Sequence, residues 1–398
     1  MDMDLKMREV IAAQTSFSLR LSTHLISLPK FANSNLTISP LSIHLVLGLL
    51  TAGSSGCTHQ QLLSFLGFPL ASDLATFSML HYLISNIILA DGSAAGGPFL
   101  RYAGGVWVND SLNLKNSFRE VARSAYKAEA HGVPFVSMPE ESRMHINDWV
   151  KQATAGKIEE LLPPESIRSN TRLVLGNAMY FKGLWDEKFN PLYTRIDAFH
   201  LVDGSSVVTP FMTSSEKEFI EVYEGFKVLR LPYKRGQDSR LFSFYIFLPD
   251  TFNGLPNLSM KMSSEPDFLN LHIPKEKVPV RNFRIPKFKI SKGIEFSEIF
   301  ANLGLDLPFI PTGDLSEMVD SPESSQYYVE SIHHQCFVEV NEEGTEAAAA
   351  TFAWPVLLCM PPPPVDFVAD HPFLFLIRED RSGLVLFMGH IFNPLLAE

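Results

Sequence analysis

The stretch NEEGTEAAAATFAWPVLLCMPPPP, residues 341–364, reads two ways. Alone, its first half is a helix start: Asn341 is a capping residue type, three acids lie nearby, and four alanines follow. Alanine is the best helix former, and acids suit the positive end of a helix. Yet CFVEV just before it alternates like a strand, and four prolines close it. As a strand, side chains alternate between faces. One face then carries Thr345, Ala347, Ala349, Thr351, Ala353 and Pro355, all compact and uncharged. The other carries Glu346, Ala348, Ala350, Phe352 and Trp354. The first set can slide into a crowded sheet without desolvating a large or ionised group. The run can therefore be helix or coil while exposed and a buried strand later.

The 398 residues around it are 46% apolar, which is ample for a large core, and they include 31 phenylalanines. Only 19% are charged, so the composition is not that of a disordered chain. The formal net charge is −11, and the richest Lys/Arg stretch, FRIPKFKISK, is interleaved with apolar residues and reads as a strand. A nucleic-acid partner is therefore not expected. The N-terminus MDMDLKMREVIAAQ is charged and lacks an apolar signal core. No run reaches the roughly 18 apolar residues of a membrane span. A cytoplasmic protein without a membrane partner is the expectation, with an extracellular or apoplastic presence by a non-classical route as the alternative. Cys57, Cys336 and Cys359 form a sparse, odd set, which suggests free thiols.

Elements can be placed from local signals. In TISPLSIHLVLGLLTAG, Ser39 is a candidate N-cap, Pro40 stands at the first helical position and Gly53 just past the end. Residues 8–30 and HINDWVKQAT carry helical spacing, the latter ending near Gly156. FLRYAGGVWV, RLVLGNAMYF, LFSFYIFLPD, FRIPKFKI, QCFVEV, FLFLIR and LVLFMG read as strands, with EDRSG a hairpin-length connection between the last two. Helices dominate early and strands late, an α+β pattern without a repeat or an interdomain linker.

Catalytic motifs are missing: there is no GxxxxGK[ST], no HExxH and no GxSxG. HHQC at 333–336 invites zinc, but alternation puts His334 and Cys336 on one strand face as core residues. A catalytic Cys359 would want a helix N-terminus or a fixed basic partner, and its proline-rich flank offers neither.

EVNEEGTEAAAAT resembles the reactive-loop hinge of the serpins, and FVEVNEEGTEAAAAT together with ADHPFLFLIR is most similar to the plant members. NLTISPLSI, GVWVNDSLNLKNSF, INDWVKQATAGKIEELL, LVLGNAMYFKGLW, FKVLRLPY, FYIFLPD, LGLDLPF, DLSEM and LFMGHIFNP follow in family order along nearly the whole chain. The resemblance implies one domain over residues 1–398, with three sheets, about nine helices and an exposed reactive loop at 342–366. It implies a protease inhibitor rather than an enzyme, without cofactor or metal, acting as a suicide substrate. The loop is cleaved as an acyl-enzyme and inserts into the large sheet with the protease attached. Stored strain drives that insertion, and the native fold is held kinetically.

Residue by residue, the resemblance assigns Glu342, Gly344, Thr345, Ala347 and Ala349 to the hinge. It assigns Ser39, Ser42, Asn177 and His334 to the polar shutter beneath the opening sheet, and Trp185 to the breach where insertion begins. Counting from the hinge places the cleaved bond at Leu358–Cys359. Counting back from VDFVADHPF places it at Cys359–Met360. Leu358 is favoured, because insertion length sets where the protease is caught. It suits an endopeptidase with a hydrophobic primary pocket, chymotrypsin-like or papain-like. Pro355 should cost one ladder hydrogen bond in the inserted strand. The apolar ATFSMLHYLISNIILA stands where a heparin-type cofactor helix would be basic, so no such activation is expected. A monomer is expected. The alternative is a non-inhibitory storage, chaperone-like or binding protein on the same fold, cleaved as a plain substrate.

Overall fold

A computed structural model describes residues 2–68, 74–320, 327–344 and 363–396. Its five-stranded sheet runs, edge to edge, β12 (Phe288–Glu295), β13 (Ser331–Val340), β4 (Leu173–Lys182), β2 (Phe99–Asn109) and β3 (Ala128–Val133). A seven-stranded sheet has the order β1 (Leu36–Ile38), β16 (Val385–Ile391), β15 (Phe373–Glu379), β9 (Phe242–Pro249), β8 (Phe226–Pro232), β7 (Glu218–Tyr223) and β10 (Lys277–Val278). A four-stranded sheet follows β14 (Val365–Val368), β11 (Val280–Pro286), β6 (Ser206–Met212) and β5 (Arg195–His200). The described residues form nine α-helices, among them α1 (Asp2–Ser27), α2 (Pro40–Ala52), α4 (Leu74–Leu83) and α6 (Pro139–Ala153). The α+β class with three sheets and about nine helices is as the sequence indicates. None of the described helices is long and apolar enough to cross a membrane.

Helix α2 shows how local signals and packing combine. The Ser39 hydroxyl accepts the Ser42 N–H, Pro40 starts the helix and Gly53 follows its end. Every residue from Pro40 to Ala52 is buried, because the helix is apolar all round and lies between sheet and outer helices. It packs on β4 and β16, beneath the five-stranded sheet. β4 is likewise an almost unbroken buried run, as a central strand covered on both faces must be.

Two readings are corrected here. FRIPKFKI is not one strand: β11 ends at Pro286 in the four-stranded sheet, and β12 begins at Phe288 in the five-stranded one. Pro286 has no N–H to extend a ladder, and the Lys287 N–H turns aside to Pro210 O at 3.0 Å. HINDWVKQAT covers only the second half of α6, which starts at Pro139 with acids in its first turn.

The chain leaves the five-stranded sheet at β13 and joins the edge of the four-stranded sheet at β14, where Val365–Val368 runs parallel to β11. The segment in dispute lies between these two strands.

Candidate functional site

The central feature of the five-stranded sheet is a parallel seam. β13 pairs with β4 from Ser331↔Val174 to Phe337↔Tyr180, whereas β13 is antiparallel to β12 and β4 to β2. Pairing across the seam stops at Phe337 and Tyr180, although both strands run on to Val340 and Lys182. Parallel neighbours normally flank long crossovers. A segment folding straight back from the end of β13 would be antiparallel to both of its neighbours if it ran down this seam.

Beneath the seam Ser39, Ser42, Asn177 and His334 are brought together, all buried. His334 and Asn177 are register partners across it. His334 Nε2 accepts the Ser39 N–H at 3.0 Å, so Nδ1 carries the proton and donates to Asn177 Oδ1 at 2.7 Å. Asn177 Nδ2 donates to Ser42 Oγ at 3.2 Å, and the Ser42 hydroxyl donates to Ser39 O at 3.0 Å. The ring closes on itself, and the Ser39 hydroxyl reaches Met179 Sδ at 2.8 Å. Burial pulls His334 down to a pKa of about 3, so it is the neutral imidazole that fits this ring. Parting β13 from β4 breaks the His334–Asn177 bond directly. Cys336, on the same face, is buried, and burial pushes its thiol up to about 12. It and Cys57 are both free thiols.

At the open end of the seam the chain turns sharply. Gly344 N–H donates to Asn341 O at 3.3 Å, Glu343 N–H to Asn341 Oδ1 at 3.0 Å, and Asn341 and Gly344 form an antiparallel bridge. Trp185 holds this turn: its indole donates to Asn341 O at 2.8 Å and its N–H to Glu343 O at 3.1 Å, while its ring stacks on Tyr233 at 4.7 Å. Glu342 is 7% exposed. Its carboxylate receives Lys287 Nζ and the Thr194 hydroxyl, each at 2.7 Å. Burial alone would raise its pKa, but these two donors hold it below the ordinary carboxylate value.

Lys287, Thr194 and Tyr233 were not legible as site residues. Each lies far from residue 342 along the chain, and no local pattern marks it. Thr345, Ala347, Ala349, Leu358, Cys359 and Met360 lie outside the described residues.

Gly344 has φ +86°, and a Cβ there would meet Gly183 O at 2.6 Å and the Trp185 backbone nitrogen more closely still. The left-handed backbone alone costs other residues about 1–2 kcal/mol. Gly344→Ala is therefore expected to lower the thermal midpoint by several degrees, read by circular dichroism. An unchanged midpoint would mean that the turn accommodates a side chain.

His334 belongs to a larger set. Burial also lowers His44, brings His81 and His333 to about 4, and brings His390 to about 3. All five are neutral when folded and titrate near 6.5 when unfolded. Between about pH 6.5 and 4 the unfolded chain binds more protons, so stability is present above 6.5 and is lost as pH falls. Each histidine contributes about 1.4 kcal/mol per pH unit in that window. Glu218, raised to about 7 by burial, and Glu330, also raised by burial, act in the opposite sense but are outnumbered. Denaturant titrations from pH 7 to 4.5 should show stability falling steeply. A flat profile would mean that these imidazoles are not held neutral.

Three comparisons bear on this arrangement. The family model described as serpin (serine protease inhibitor) matches residues 12–394. The chain is similar to Serpin-Z2B of Triticum aestivum, at 52% identity over 97% of each chain. It is also 52% identical to Serpin-ZXA of Oryza sativa subsp. japonica, over 98% of this chain and 99% of the other. Among solved structures it resembles Arabidopsis AtSerpin1 in its native stressed conformation, with TM-score 0.92, 45% identity, and coverage of 98% and 99%.

Proposed function

The chain belongs to the serpin family, and from that premise we propose that it is a protease inhibitor acting as a suicide substrate. The whole chain acts as one unit, with residues 342–366 as bait and the β4–β13 seam as receiver. The observation that carries this reading is the turn at Asn341–Gly344, which starts a return path at the head of the parallel seam. If pairing continues from that bridge, each step along the loop matches one step back along β13. Thr345, Ala347, Ala349, Thr351 and Ala353 then fall opposite Val340, Val338, Cys336, His334 and Ile332, all buried. This is the compact, uncharged face of the loop, and it is the face that meets the core.

In this mechanism cleavage frees the loop, Glu342 and Gly344 act as the hinge, and the Trp185 contacts give way first. The polar ring of Ser39, Ser42, Asn177 and His334 lets the sheet part without an apolar core having to tear, because each polar group can find a partner in the arriving strand. Pro355 falls opposite Glu330, just beyond the first paired residue of β13, Ser331. Its missing N–H would then cost little, less than the sequence alone suggests. The bond cut is Leu358–Cys359, or Cys359–Met360 if the loop is counted from its far end. The partner is an endopeptidase with a hydrophobic primary pocket.

The test is incubation with chymotrypsin followed by denaturing electrophoresis. An SDS-stable complex at the summed mass is expected, with cleavage after residue 358 or 359 read by mass spectrometry. A cleaved chain without any complex would assign the protein to the non-inhibitory alternative.

A further inference from the structure

On the outer face of the five-stranded sheet, opposite the polar ring, a cavity of about 600 Å³ lies between the 157–163 connection after α6 and strands β12 and β13. That volume is in the range that holds small organic ligands. Its apolar wall includes Ile158, Leu161, Ile294 and Phe337.

The charges around it are unevenly engaged. Its carboxylates have partners: Glu159 lies 3.1 Å from Lys151 and Glu160 3.4 Å from Arg143, while Glu295 accepts the backbone N–H of Ser297 at 2.7 Å. Its two ammonium groups do not. Lys157 stands 5.7 Å from the Tyr180 ring and Lys289 5.1 Å from that of Phe337; neither forms a salt bridge among the described residues, and Glu339 is the register partner of Lys289 across the β12–β13 ladder. His333 also lines the cavity, 5% exposed, with Nε2 buried and unpartnered. Burial keeps it neutral at physiological pH. The cavity thus offers two solvent-facing ammonium groups and one buried imidazole nitrogen beside an aromatic ring, with the Glu295 carboxylate accepting backbone N–H bonds from Ser297 and Ile332.

We propose that this cavity binds a small amphiphilic organic anion, an aromatic carboxylate or sulfonate. Its charge lies between Lys157 and Lys289 and its ring against Phe337, and its presence opposes return of the loop. The second part rests on the inhibitory reading. The register that continues from Asn341–Gly344 sets Ala348, Ala350 and Phe352 opposite Phe337, Gln335 and His333, the three residues that β13 contributes to the cavity. An inserted strand would therefore compete with the anion for the same wall.

The probes are anilinonaphthalene sulfonate and its uncharged analogue phenylnaphthylamine, titrated by fluorescence into the intact protein and into a Lys157→Gln, Lys289→Gln double variant. Both lysines are surface groups, and an unchanged thermal midpoint confirms that the variant is folded. The sulfonate is expected to bind at least about tenfold more tightly than the neutral probe, and the double substitution should abolish that preference. Equal affinities for the two probes, or a preference that survives the substitutions, would overturn the site. Loop-cleaved protein should bind the sulfonate at least about tenfold more weakly while its thermal midpoint rises. A raised midpoint with unchanged sulfonate affinity would overturn the competition with the loop. If neither midpoint nor affinity changes on cleavage while the lysine dependence holds, the inhibitory reading fails and the anion site stands.

Discussion

Replacing Thr345 with arginine is expected to abolish trapping while leaving cleavage of the loop intact. Position 345 follows directly on the Asn341–Gly344 bridge; under the proposed insertion it would be the first residue to enter the seam, and continued register would set it opposite buried Val340. Threonine there is small and neutral. An arginine would have to be buried without a counter-charge, which costs several kcal/mol. A penalty of about 3 kcal/mol at the insertion barrier slows that step by roughly a hundredfold. Hydrolysis of the acyl-enzyme would then win nearly every encounter. Gel densitometry after incubation with chymotrypsin should show the cleaved chain replacing the covalent complex, at an unchanged rate of loop cleavage. A variant that forms complexes at the parental yield would show that residue 345 does not enter the sheet interior.

Loop cleavage without protease capture should raise the thermal midpoint substantially. In the intact chain β13 and β4 share one parallel ladder. An inserted strand replaces it with two antiparallel ladders, which are slightly stronger per residue. It also buries a run of alanines and threonines. Roughly ten additional ladder bonds at about 1 kcal/mol each put the gain on the order of 10 kcal/mol. For a chain of this length that corresponds to a rise of roughly 10 °C or more. Differential scanning calorimetry before and after a single cut between residues 356 and 360 reads the change. An unchanged or lowered midpoint would mean that the loop stays outside the sheet.

These two results together separate the inhibitor from a plain substrate. A substrate protein can be cut at the same bond, but it gains no strand and is indifferent to a charge at 345.

Much of the site was legible because its signals are short-range. Ser39, Pro40 and Gly53 delimit α2 through capping and backbone preferences acting within a few residues. Alternation along QCFVEV placed His334 and Cys336 on one buried face. The compact face from Thr345 to Ala353 is a property of alternation and side-chain size alone. The family-order motifs extended that reading to Asn177 and Trp185; the structure sets Asn177 in the ring with Ser42 and His334, and Trp185 against Asn341 and Glu343.

Other features are decided by pairs that no window of sequence contains. The ring that closes the seam joins residues 157 and 295 positions apart, and its geometry depends on His334 and Asn177 being register partners. The Glu342 clamp needs Lys287, and Lys287 is available only because Pro286 ends one strand and releases the chain into another sheet. FRIPKFKI carries strand propensity throughout, so propensity could not show that break. The same limit applies to the cavity: alternation predicts that His333, Gln335 and Phe337 share a face, but not that the 157–163 connection crosses over it. Within this chain the sequence determined helix ends, strand faces and a compact, uncharged set of alternate residues from Thr345 to Ala353, because those depend on torsional preference and side-chain size at neighbouring positions. Tertiary structure alone decided the parallel β4–β13 seam and the polar ring that bridges it, because these follow from sheet register and from bonds between residues far apart along the chain.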